Sequence, residues 1–142
     1  MGRKVHIELN TTIEDDGQTE QNTLKEKGYF YQKGNIHVLT YDEKIDEAVI
    51  KTMITIQQDK VSIKRTGMLS MHQQFHKNQL TENVYQHPHG NIHMETYTKT
   101  IDYQALTATQ TGQLQLRYHV KLNGQQERKH ELRLWFTEEE AT

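Results

Sequence analysis

Leu114-Gln115-Leu116-Arg117-Tyr118-His119-Val120-Lys121-Leu122, then Asn123-Gly124, then Leu132-Arg133-Leu134-Trp135-Phe136: this stretch decides the fold class. Apolar side chains recur at every second position on both sides of an Asn-Gly pair. Period two is the strand period, because successive side chains leave opposite faces of the pleat. Asn and Gly both accept the positive φ of a type I′ turn, so the segment predicts an antiparallel hairpin.

The same period runs through most of the chain. Val5, Ile7, Leu9 and Ile13 precede an Asp15-Asp16-Gly17 turn, and a second strand covers Leu24 to Tyr31 with a bend or bulge at Gly28. Lys33-Gly34-Asn35 leads into Ile36–Tyr41, followed by an expected charged loop from Asp42 to Glu47. Ile50–Ile56, Val61–Arg65, Leu69–Phe75, a weaker strand at Val84-Tyr85 and Ile92–Thr98 complete the set. The segment Tyr103–Thr111 reads as loop, since its β-branched residues disfavour helix. About 8–10 short strands without crossover helices predict an all-β single domain over residues 1–142. Its expected form is an antiparallel up-and-down meander β-barrel, whose closure removes exposed edges.

Composition narrows the function classes. A chain of 142 residues buries roughly two-thirds of its unfolded surface and needs no covalent staple. It contains no cysteine, which excludes thiolate catalysis and Cys-ligated zinc and fits a reducing compartment. With 17 basic and 19 acidic residues interspersed, there is no basic stripe of the kind nucleic-acid binding requires. Basic residues near the N-terminus lack the apolar run of a secretory signal, and no stretch suits a membrane helix. The expectation is therefore a cytoplasmic protein with no nucleic-acid and no membrane partner. The mean hydropathy of −0.94 alone would suggest disorder; the strand periodicity opposes that.

Several segments together resemble the YwiB-like family of small uncharacterised bacterial proteins. They are Ile13-Glu14-Asp15-Asp16-Gly17, Gly28-Tyr29-Phe30-Tyr31, Tyr41-Asp42-Glu43, Arg65-Thr66-Gly67 ahead of Phe75, Tyr85 followed by Gly90, and Thr96–Ile101. The resemblance spans nearly the whole chain and implies a lipocalin-like (calycin) barrel. It supplies no catalytic residues, because the family is a domain of unknown function.

Candidate ligand-binding residues follow from strand phase. If Val61 and Ile63 point inward, so does Arg65, beside Gln73 on the next strand. Thr96 and Thr98 follow Ile92 and Met94 inward, and Tyr118 lies among Leu114, Leu116 and Val120. An inward guanidinium needs a counter-charge. Arg65 could hold a carboxylate or phosphate in the lumen, or it could sit at the barrel mouth paired with a protein carboxylate. A bulge at Gly67 would reverse its phase.

Other clusters read as structural. His72, His76, His87, His89 and His93 fall on turns and separate strands, so neither a metal site nor a cofactor is expected. Asp15-Asp16 serves a turn, Glu138–Glu140 an acidic tail that frays, and Ser62 and Ser70 lack nucleophile-elbow context. Trp135 faces outward, either as an anchor for a partner or as a cover over the barrel wall.

Three classes of function remain. The first is a non-catalytic barrel with a small apolar or anionic ligand in the lumen. The second is an interaction or assembly module using the outer face, including a homodimer. The third, ranked last, is an enzyme with a site at the barrel mouth. Lumen packing decides between the first two: if Phe30, Phe75, Leu116 and Leu134 fill it, no room is left for a ligand.

Overall fold

Alternation carries the chain through ten strands in the computed structural model, which describes residues 2–139. These are β1 (Arg3–Asp15), β2 (Gln18–Lys33), β3 (Ile36–Ile45), β4 (Ala48–Gln57) and β5 (Lys60–Thr66). They continue as β6 (Ser70–His76), β7 (Leu80–His87), β8 (Gly90–Gln104), β9 (Gly112–Leu122) and β10 (Arg128–Glu138). Each pairs antiparallel with its sequence neighbours, and β1 pairs with β10, closing an up-and-down barrel. No helix among the described residues is long and apolar enough to cross a membrane.

Several expectations need correction. Asp42–Ile45 is not loop: it extends β3, and only Asp46-Glu47 turns the chain, with Asp46 at positive φ. Its charged run, Asp42-Glu43-Lys44, carries no apolar signal for strand. Asn123 and Gly124 do take positive φ, but the β9–β10 pairing stops at Val120↔Arg128, so the connection is longer than a two-residue turn. Asn123 instead ties across to β8, exchanging bonds with His93 at 2.7 and 2.8 Å. The acidic tail is partly ordered: Glu138 ends β10 and the Glu139 N–H donates to the Lys4 carbonyl at 2.9 Å; Glu140 lies outside the described residues.

The inward faces meet in one core. Phe30, Phe75, Phe136, Leu39, Leu114, Leu116 and Leu134 are each at most 1% exposed and belong to a single packed cluster. Tyr118 joins it with its ring against Phe75, centroids 4.7 Å apart and nearly perpendicular. Phe30, Phe75, Leu116 and Leu134 all lie in this cluster, so side chains fill the lumen.

Two seams interrupt the wall. β6 and β7 share one ladder pair, Ser70↔Gln86. β2 and β3 pair only from Gly28↔Tyr41 to Lys33↔Ile36, leaving Gln18–Lys27 of β2 paired to β1 alone. Charge disfavours closing the second seam beyond Lys27, which alone would meet an opposite charge, Asp42. Continuing the register past Gly28 would set Glu26 opposite Glu43 and Lys25 opposite Lys44. Like charges directly opposite destabilise a ladder, so the strands part there.

Candidate functional site

Arg65 keeps its inward phase, because no register shift occurs at Gly67; the bulge in the barrel is instead between Thr98 and Thr100. Its cross-strand neighbour on β6 is Met71 rather than Gln73. The guanidinium Nη2 lies 3.2 Å from Glu43 Oε2, with about a quarter of each side chain exposed. A protein carboxylate thus occupies the position a ligand anion would have taken. Burial raises the pKa of the neighbouring Tyr41 hydroxyl, while the Arg65 charge opposes that rise. Removing Arg65 strands Glu43 half-buried. Arg65→Met is therefore expected to cost about 1 kcal/mol, seen as a melting temperature a few degrees lower in thermal denaturation.

The other candidates sit deeper and do not converge on Arg65. Gln73 Nε2 donates to Thr96 Oγ1 at 3.0 Å, both buried. Thr98 is fully buried opposite Tyr118, and its hydroxyl has no hydrogen-bond partner. Burial raises the Tyr118 pKa strongly, so the phenol stays protonated. These four line the packed lumen as polar members of its wall.

Behind Tyr118 lies His130, ring centroids 5.1 Å apart. Burial, then the Arg128 and His119 charges, push its pKa down to about 4, and its Nε2 is buried without a partner. The folded value lies below the unfolded one, near 6.5, so the unfolded chain binds the extra proton in that window. Stability should therefore fall as pH drops from about 6.5 to about 4, by an amount on the order of 3 kcal/mol. Thermal melts of wild type and His130→Phe across that range should show a shallower slope for the variant.

Two arrangements were not legible in the sequence. At the barrel end formed by the β2–β3, β4–β5 and β6–β7 turns, His37 Nδ1 and the Tyr103 hydroxyl lie 2.7 Å apart, joining β3 to β8. Burial, followed by the Arg3 charge, lowers the His37 pKa, and burial raises that of Tyr103 to about 12. A depression of about 600 Å³ lies over this pair, bordered by Ile36, Ile56, Ile101 and Asp59. Period two back from Leu39 would have turned His37 inward; Tyr103 reaches it only because the bulge at Lys99 reverses the phase of β8.

The second arrangement is on the outer wall, where a groove of about 500 Å³ lies at the opening of the β2–β3 seam. Lys27, Lys51 and Lys64 border it, with Asp42 as the one acid, and Tyr29 and Met53 are 45% and 44% exposed beside it. Trp135 lines a different depression, with Glu8 and Lys25 opposite. On the far wall Glu82, His93 and Glu95 hold potential ligand atoms within 4.8 Å of one another. Three surface ligands without supporting partners bind a divalent ion weakly at best.

The comparisons bear on this geometry. A family model described as a domain of unknown function, DUF1934, matches residues 7–134. The chain belongs to this family. A curated relative, the uncharacterized beta-barrel protein YwiB of Bacillus subtilis (strain 168), is 26% identical over 132 residues, covering 93% of this chain and 92% of its own length. The crystal structure of the ywiB protein from Bacillus subtilis superposes with a TM-score of 0.87 at 24% identity, covering 98% of this chain and 94% of that one. The likeness supports the ten-strand barrel. DUF1934 membership names no activity, ligand or catalytic residue.

Proposed function

We propose that the protein is a non-catalytic interaction module that engages a partner through the outer face of β2–β5. The filled lumen carries this reading. Phe30, Phe75 and Phe136 occupy the space a carried ligand would need, and Arg65 is already paired with Glu43. What remains accessible is outside: Tyr29 and Met53 are exposed along the groove, and Tyr31 and Val49 are exposed on the same two strands, β2 and β4. Large exposed side chains gathered on one face mark interaction surfaces more often than scattered ones do.

Native mass spectrometry of the purified protein is expected to show the bare chain mass. A stoichiometric small molecule that survives desalting would favour a lumen carrier instead. A photo-crosslinking residue at Met53 should give discrete adducts in the producing cell, while the same residue at Tyr97 on β8 should not. Equal adduct patterns at both positions would overturn the choice of face.

A further inference from the structure

Resting on that outer-face reading, we propose that the partner is an extended acidic peptide that adds as a strand to the open edge of β2 and runs on into the groove. Two independent features support it. The first is backbone. Asp16-Gly17 makes a two-residue turn, with both residues at positive φ, so Asp15 and Gln18 exchange ladder bonds. Alternation then aims the N–H and C=O groups of Thr19, Gln21, Thr23 and Lys25 away from β1. Further along, the same alternation aims Tyr29 and Tyr31 at β3, where they are paired. Above Gly28 no strand among the described residues takes up these groups, and an added strand can.

The second feature is charge. The protein carries a net charge of −2, yet Lys25, Lys27, Lys51 and Lys64 gather at this edge and the adjoining groove. Among the described residues Lys51 and Lys64 have no ion-pair partner within 4 Å, while Lys25 pairs with Glu8 at 3.7 Å and Lys27 with Glu139, just past β10, at 3.5 Å. Both of those carboxylates approach from the β1 side, which leaves the edge and groove side of the lysines without a counter-charge other than Asp42 among the groove residues.

Register specifies the peptide. Antiparallel addition puts an acid opposite Lys25 and an apolar residue opposite the half-buried Leu24; because Asp42 already lies beside Lys27, the peptide leaves the ladder above Lys25 and a preceding acid reaches the Lys27 ammonium from the outer face. Residues before the first acid extend over the groove, where an aromatic side chain meets Tyr29 and Met53 and a further acid meets Lys51 and Lys64.

The probe is acetyl-Asp-Phe-Glu-Thr-Glu-Val-Thr, labelled with fluorescein at its C-terminus and titrated with the full-length protein by anisotropy. Saturable 1:1 binding is expected. It should weaken at least tenfold with Lys51→Glu/Lys64→Glu, whose fold is checked by circular dichroism, and with a peptide N-methylated at both Glu nitrogens. A peptide with Lys in place of both Glu residues should not bind. No saturable binding to the wild type overturns the proposal, and so does binding that N-methylation and charge reversal leave unchanged. A concentration-dependent dimer that Lys25→Glu abolishes would assign the edge to a second copy and overturn it as well. Failure of the peptide together with face-specific crosslinks at Met53 would remove the acidic strand while leaving the outer-face reading standing.

Discussion

Phe75→Ala is expected to lose about 3–5 kcal/mol of stability, the usual cost of deleting a fully buried aromatic side chain. Phe75 has no exposed surface and packs edge-on to Tyr118, so no neighbour can collapse into the space without breaking that contact. Urea denaturation gives the loss as a lower midpoint at unchanged slope. The variant should also gain what the wild type lacks, a dry cavity that takes xenon or benzene. This connects stability to function. If the substitution costs less than about 1 kcal/mol and opens no apolar site, then the lumen is loosely packed and a carried ligand regains its place.

The outer-face reading inverts the ranking that strand phase and fold analogy favoured. Phase was a sound guide to direction: Arg65, Gln73, Thr96, Thr98 and Tyr118 all point as period two dictates. Direction does not reveal partners. Glu43 lies 22 residues before Arg65 in a charged run, Asp42-Glu43-Lys44, and nothing local marks it as strand. The His37–Tyr103 contact spans 66 residues and depends on one inserted residue in β8, which a hydrophobic pattern cannot register among Thr98, Lys99 and Thr100. The seam was half visible. Gly28 stood out as a bend, but the opposition of Glu26 to Glu43 exists only once the β2–β3 register is known. Sheet closure and core membership are repeated along the chain and so leave a periodic trace. A site made by the failure of one ladder leaves none.

That failure begins at Gly28, which makes Gly28→Ala the sharpest test of how the wall is built. A methyl group there would fall on the Thr40 carbonyl oxygen, with Ile7 Cδ1 at 2.9 Å and Tyr41 Cβ at 3.1 Å. A flexible side chain can swing aside, but a carbonyl oxygen moves only with its strand. The added carbon must therefore drive β2 away from β3 and extend the split downward, through Tyr29↔Thr40 and Phe30↔Leu39. Phe30 then loses contact with Phe136, whose ring centroid is 5.1 Å from its own. Overpacking against backbone should cost about 3 kcal/mol, or a melting temperature lower by about 10 °C. Thr23→Ala, on the exposed open edge, should change stability by less than about 0.5 kcal/mol. Hydrogen exchange separates this mechanism from general loosening: the amides of Tyr29 and Tyr31 should lose protection first, while those in the β8–β9 ladder keep theirs. A Gly28→Ala protein as stable as wild type, with Tyr29 still protected, would mean that β2 and β3 do not approach this closely, and the groove at their parting would lose its floor.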